Sequence, residues 1–453
     1  MAPENQHGCG TLAPLLPEVH HQHAVAYDHR RRGGGSFSGA IFNVSTGMVG
    51  AGIMSIPATF KVLGIIPSFV VILLIAFFVK VTVEFLLKYT HFGEAQSYGG
   101  LMHESFGKFG AVGLQLCVMI TNLGALIIYL IIIGDVLSGS QTDGLMHLGI
   151  LQEWFGDHWW TSREYSLLFV VLFGLFPLVL LRRIDSLRHA SALSILLAVL
   201  FVLMCSGMAL YAMCQGRTET SKLVPDFSHG VSFIDLFTTI PVFATAFGCH
   251  INVHPIRAEL HRQSEMSAAV CISLIVCVAI YLAVGFFGYL LFGESIMADM
   301  LVNFNQISGS LIGTIYNDTV RLSYTIHLML VFPVMNFSLR ANIDELLFPK
   351  TALVSSVRTR FLSLTCILLA FTYLAAISFP NIWYFFQFMG TTTGMCLMFI
   401  FPSAIILRDI HNVSTTRERV LAVAVIVLAV GTSLIAIYSN LTNSIGKTRM
   451  VIL

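Results

Sequence analysis

Charge is what this 453-residue sequence has least of: Asp, Glu, Lys and Arg make up 11% of it, against about a quarter in soluble domains. So few charges cannot clothe a water-soluble surface. Long basic runs are missing too, the longest being Arg30-Arg31-Arg32, and the net charge is +1. Neither feature points to nucleic acid or to an acidic surface as a partner. Metal-ligand spacing is absent from the nine cysteines. Cys117, Cys205, Cys249, Cys271, Cys277, Cys366 and Cys396 fall in apolar blocks, where a lone cysteine packs as a small hydrophobe. His20, His21 and His23 have nothing nearby to complete a metal site, so neither metal nor cofactor is expected. Enzyme motifs are lacking as well: His250 and His254 are spaced i,i+4, but no Glu follows in the zincin arrangement. There is no cleavable signal segment; residues 1–35 are polar and read as a disordered cytosolic tail.

What the sequence does have is apolar residues, 56% of the chain, in blocks of about twenty, the length needed to cross a bilayer as a helix. A porin-type barrel would instead alternate over about ten residues. The chain therefore reads as an all-α polytopic membrane protein. Eleven transmembrane helices are predicted, at about 37–60, 65–90, 110–138, 165–181, 189–213, 233–256, 267–292, 317–339, 358–378, 380–407 and 418–439, followed by a short outer or lumenal tail, 441–453.

The positive-inside rule tests this count. With the N-terminus in the cytosol, the inner segments hold seventeen Lys and Arg residues and the outer segments six, with Lys80 and Arg321 inside spans. Dropping any one span would invert every later loop and spoil the asymmetry. Two sequons, Asn317-Asp318-Thr319 and Asn440-Leu441-Thr442, lie on the outer side, too close to the membrane for a glycan to be expected.

Two spans are interrupted. The first holds Gly47-Met48-Val49-Gly50-Ala51-Gly52 and ends near Pro57. The sixth holds Pro241, then Ala246-Phe247-Gly248-Cys249-His250, and ends near Pro255. A glycine in a helix interior costs about 1 kcal/mol relative to Ala, and a membrane offers no water to unpaired backbone groups. Glycines 47, 50 and 52 lack the four-residue spacing of a helix-packing face. The favoured reading is a helix break whose amides at Gly50, Ala51 and Gly52 cap an anionic group. Carbonyls from Asn43 to Val49 then face an ammonium or a cation. Five spans separate one break from the other, so the second set of five runs upside down relative to the first. That is the sequence pattern of an inverted-repeat transporter, here about 37–213 and 233–407 with an extra helix at 418–439.

The stretch Ala40-Ile41-Phe42-Asn43-Val44-Ser45-Thr46-Gly47-Met48-Val49-Gly50-Ala51-Gly52-Ile53 resembles the first helix of the amino acid/auxin permease family. Phe247-Gly248-Cys249-His250, Pro255-Ile256 and Glu259-Leu260 resemble its sixth-helix signature, and Tyr129-Leu130-Ile131-Ile132-Ile133-Gly134-Asp135 the end of its third. The run Ile56-Pro57-Ala58-Thr59-Phe60-Lys61-Val62-Leu63-Gly64 looks closest to the plant vacuolar branch, which implies a vacuolar or other endomembrane location, with the plasma membrane as the alternative. The resemblance spans about Ser36 to Tyr438. It implies a LeuT-like five-plus-five inverted repeat plus one helix, and amino acids as substrates. By position, Gly50, Ala51 and Gly52 would take the substrate carboxylate, with Asn43 and Ser45 beside them. Carbonyls of Phe243, Ala244 and Thr245 would take the α-ammonium, and Tyr129 would cover the site.

The ion site departs from the sodium-coupled relatives. They place Asn where this chain has Thr46, and a hydroxyl shortly before the eighth-helix proline, where this chain has Met329-Leu330-Val331-Phe332 before Pro333. Thr46 and Val49 are left as oxygen donors, and His250 and His327 as groups able to exchange protons near neutral pH. Proton coupling or facilitated transport is expected rather than strict sodium coupling. Structural roles are set beside the functional ones: a carbonyl-bonded neutral histidine for His327, an i,i+4 ion-pair ladder for Lys80, Glu84 and Lys88, a local salt bridge for Asp318 and Arg321, and solvated or capping carboxylates at Asp135 and Asp235. A channel would need a ring of polar groups around a pore. A transporter-like sensor and a sodium symporter are the alternatives that stay open.

Overall fold

The computed structural model describes residues 36–142, 145–181, 188–218, 221–227, 232–304, 311–348, 357–379 and 381–452. The tail expectation for residues 1–35, with Arg30 to Arg32 and the His20, His21 and His23 cluster, lies outside these residues.

The chain opens with α1 (Phe37–Met48), whose first turn is capped by the Ser36 hydroxyl accepting from Gly39 N at 3.0 Å. α2 (Gly52–Leu63) follows after a three-residue gap, bent by 59° from α1. Then come α3 (Ile65–Phe92) and α4 (Tyr98–Ser138), which changes direction at Gly107. The turn from α2 to α3 is made at Gly64, at φ 78°, where a Cβ would meet the Val224 backbone at 2.8 Å. Only glycine takes that left-handed backbone without strain.

A hairpin, β1 (Ser140–Thr142) with β2 (Leu145–His147), is the one pair of strands among the described residues and a small departure from the all-helical expectation. Next are α5 (Ile150–Phe155), α6 (Arg163–Phe169), a π-helical segment Val170–Leu175, α7 (Phe176–Val179) and α8 (Arg188–Cys214). The second half holds a 3-10 segment Phe233–Thr239, α9 (Ile240–Ala246), α10 (His250–Glu259), α11 (Met266–Phe292), α12 (Met300–Asn303) and α13 (Leu311–Leu347). It ends with α14 (Arg358–Ser378), α15 (Ile382–Met389), α16 (Phe401–Arg408) and α17 (Thr416–Ile452).

Among the described residues, nine spans are long and apolar enough to cross a membrane, and the bent pair α1 and α2 makes a tenth. The predicted fourth span corresponds to Arg163–Val179, built of α6, the π segment and α7, and falls outside that group by length. The predicted divide between the ninth and tenth spans stands, since α14 ends at Ser378 and α15 starts at Ile382. Helix α17 runs to Ile452, so the segment from 441 is helical where a tail was expected.

The centre of the bundle is built around the two broken helices. Val44, Ile53, Phe60, Val242, Phe243, Phe247, Tyr281, Tyr324 and Phe332 are fully buried there. The rim exposes Leu73, Phe77, Ile275, Ile367 and Val427, an apolar belt of the kind that faces lipid.

Several ionic expectations are corrected by tertiary partners. The i,i+4 ladder does not form: Lys88 binds both carboxylate oxygens of Glu418 on α17 at 2.7 Å, and Glu84 accepts from the Ser267 hydroxyl. Lys80 instead lines a cavity of about 520 Å³ with Phe77, Glu84 and Leu421. Asp135 is buried and paired with Arg163 rather than solvated. Arg321 does approach Asp318, at 3.9 Å, but pairs more closely with Glu153, at 2.7 Å. Asp235 keeps the expected capping role, accepting from Ser232 N at 3.1 Å. Asn317 is 2% exposed within α13, which removes it as a glycan acceptor.

Candidate functional site

The first break spans Val49, Gly50 and Ala51. Helix α1 closes with Val49 N donating to Ser45 O at 3.0 Å. Helix α2 begins at Gly52, with Ile53 N and Met54 N donating to the carbonyls of Gly50 and Ala51 at 3.2 and 3.1 Å. The amides of Gly50, Ala51 and Gly52 donate no hydrogen bond among the described residues. These are the orphan donors that every helix N-terminus presents, here inside a membrane bundle, where an unpaired donor is costly.

The second break spans Phe247, Gly248 and Cys249. Phe247 N donates to the carbonyls of Phe243 and Ala244 at 3.1 and 3.2 Å, and Gly248 N to Thr245 O at 3.3 Å. Each of the three carbonyls expected to hold an ammonium therefore already accepts one bond and keeps its second lone pair.

The two breaks touch. A Cβ on Gly52 would stand 2.9 Å from Ala246 Cβ and 3.0 Å from its Cα. Tyr281 on α11 places its hydroxyl 2.8 Å from Met48 O and 2.7 Å from Ala246 O, joining the last carbonyls before each gap. Tyr324 on α13 donates to Gly50 O at 2.6 Å. Tyr129 on α4 lies over the same gap, its hydroxyl 3.3 Å from where a Gly50 Cβ would sit, and it forms no hydrogen bond among the described residues. Sequence reasoning found Tyr129 but missed Tyr281 and Tyr324. A tyrosine on an apolar span was the available signal, because a buried phenol seeks a partner.

The structure thus brings together Gly50, Ala51, Gly52, Val49 and Tyr129, with Phe243, Ala244 and Thr245 on the facing helix. Asn43 is not with them: it sits two turns earlier on α1 and is exposed. Ser45 lies between, with a buried hydroxyl that meets no partner among the described residues and a carbonyl that faces Cys277 Sγ at 3.8 Å. Thr46 donates to Phe42 O at 2.7 Å, so its proton is spent within its own helix.

The two histidines differ. His327 Nδ1 is 2.7 Å from Ser194 O, a pure acceptor, which makes that nitrogen the donor. This is the carbonyl-bonded histidine anticipated as the structural reading. His250 Nε2 meets the Thr82 hydroxyl at 2.9 Å. Thr82 has Phe78 O to donate to, also at 2.9 Å, so it accepts from His250 and leaves His250 Nδ1 unpartnered. His254 repeats this arrangement with Thr90 one turn on, at 2.8 Å. No group of three His, Cys, Asp or Glu residues suited to a metal occurs among the described residues.

A family profile described as transmembrane amino acid transporter protein matches residues 33–442. The chain is 55% identical to amino acid transporter AVT6C of Arabidopsis thaliana over 408 residues, 90% of this chain and 94% of the relative. It is 51% identical to AVT6D of the same plant over 430 residues, covering 95% and 97%, and 46% identical to AVT6A over 428 residues, covering 94% and 92%.

Proposed function

Because the chain belongs to the transmembrane amino acid transporter family, and so is a membrane carrier by descent rather than an enzyme, we propose that it moves amino acids by alternating access through the paired helix breaks. One observation carries this reading: three consecutive amides with no acceptor, at Gly50, Ala51 and Gly52, open a helix against a second break. Such amides, reinforced by the positive end of the helix dipole, suit a carboxylate. The free lone pairs at Phe243, Ala244 and Thr245 suit an α-ammonium. A zwitterion held between two helix ends is the recurrent solution of carriers built from inverted repeats, and the two breaks, five spans apart in sequence and touching in space, support that repeat here.

Coupling is to protons, or transport is facilitative, rather than strictly sodium-driven. In support, Met329 to Phe332 supply no side-chain oxygen to a sodium cage. A vacuolar or other endomembrane site is supported by the run Ile56 to Gly64, and a cytosolic N-terminus by the charge asymmetry. Binding without flux, as in a sensor, is the second reading, favoured by the tight closure of the breaks around Tyr281. Proteoliposomes separate the two. Saturable uptake accelerated by unlabelled amino acid on the far side supports the carrier; binding with no counterflow supports the sensor.

A further inference from the structure

Asp299 is a buried acid with no ion pair among the described residues. It precedes α12 and is 3% exposed. Its Oδ1 accepts from Leu301 N at 3.0 Å, while Oδ2 is buried and meets no donor among the described residues. The groups facing it leave no free positive charge. From α4 comes Asp135, from α6 Arg163 and from α13 Arg321, with the Tyr324 phenol also within electrostatic reach. Arg163 is taken by Asp135, and Arg321 by Glu153 at 2.7 Å and Asp318 at 3.9 Å. Helix α2 packs on α12 and carries only the exposed Lys61, and α11 carries no ionisable acid or base apart from its cysteines and tyrosines.

Two guanidiniums thus face four carboxylates and pair with three, and Asp299 is the one left without an ion pair among the described residues. Burial, with the negative charge of Asp135 added, raises its carboxyl well above the ordinary range, over the opposing pull of the Leu301 amide, Arg321 and Arg163.

Its place ties it to the cycle. Ser55 on α2 donates to Ala298 O at 2.7 Å, and Met300 lies against Gly288 of α11 and Pro57 of α2. The segment carrying Asp299 therefore seals the half of the broken helix that leads away from the N-terminal face. Tyr324, which faces Asp299, holds Gly50 O at the break itself.

Resting on the carrier reading, we propose that Asp299 is a proton-operated latch: it takes a proton from the water on the α12 side as α12 closes on α2, and returns it to that same water when α12 leaves α2. The sign follows from the burial. The closed state prefers the protonated acid, so acid on the α12 face favours closure; because the proton returns to the side it came from, the latch sets the pH dependence of exchange without driving net transport.

The test is the Asp299→Asn variant, a neutral match in shape to the protonated acid. In proteoliposomes, acid on the α12 side should shift the apparent affinity of wild-type exchange for amino acid on that side roughly 5- to 150-fold, the usual range for coupled sites. The variant should keep counterflow and lose this response. A variant that follows the pH gradient as wild type does, or wild-type flux that ignores it, overturns the proposal. A wild type with no flux under any condition refutes the carrier reading instead. An infrared carbonyl band from a protonated carboxyl at neutral pH, absent from Asp299→Asn, gives a readout that needs no transport. Should the variant not fold, absence of that band from the wild type still overturns the assignment.

Discussion

The hydroxyl of Tyr281 lies 2.8 Å from the carbonyl oxygen of Met48, and on its other side 2.7 Å from that of Ala246. One phenol thus serves the carbonyl ends left open by both interrupted helices. Its single proton satisfies one carbonyl at a time, which holds the gaps together without welding them. Replacing Tyr281 by Phe removes the one donor that two buried carbonyls share. An unsatisfied buried group costs about 1–3 kcal/mol, so Tyr281→Phe should lower the unfolding temperature of the detergent-solubilised protein and slow counterflow. An unchanged melting curve would show that the bridge contributes nothing.

The two glycines that flank Ala51 should respond differently to a methyl group. A Cβ at Gly50 meets only the end of the Tyr129 side chain, at 3.3 Å, which can shift. Gly50→Ala should keep flux within about tenfold of wild type, a loss of under about 1.4 kcal/mol in barrier height. A Cβ at Gly52 meets Ala246, backbone included, at 3.0 Å or less, and Gly52→Ala should lose more. Equal effects at the two positions, read from initial rates of exchange, would contradict the packing described.

Asp409, in the loop before α17, is a pH-dependent staple. Burial opposes its charge, but donors from Tyr89, Arg419 and the amides of Val413 and Ser414 outweigh it and hold the carboxyl well below the usual range. A depressed folded value means stabilisation present above the ordinary carboxylate range, about pH 4, and lost as pH falls towards the folded value. Asp409→Asn should therefore melt earlier than wild type at pH 7, with the gap narrowing below about pH 4. A gap that grows on acidification would reverse the assignment.

A sodium gradient alone should drive little uptake, and potassium or choline should replace sodium without loss. Strong sodium dependence in the same vesicles would mean that Thr46 and its surroundings complete an oxygen cage after all.

Both breaks were legible in the sequence because they violate a local rule: glycines and a proline where a membrane helix can least use them. Their meeting in space was not, since Gly52 against Ala246 is a contact between residues almost two hundred positions apart. For the same reason the partners of Tyr281 and Tyr324 were unreadable. Each is a single phenol on an otherwise ordinary span, defined by a carbonyl on another helix. The failed ladder of Lys80, Glu84 and Lys88 teaches the converse: i,i+4 spacing names neighbours on one helix, and a partner on another, such as Glu418, wins when it sits closer. Asn43 was read into the site from a continuous motif, yet it lies two turns before the break and is exposed, while Gly50 stands in the break itself.

The most direct measurement is amino acid counterflow by Gly52→Val beside wild type in matched proteoliposomes, with membrane insertion quantified for both. If the unpaired amides at the first break form the carboxylate site, wild type should show saturable exchange. The valine side chain, forced against Ala246, should then abolish exchange while insertion stays intact. Exchange by Gly52→Val at the wild-type rate would place the substrate elsewhere in the bundle.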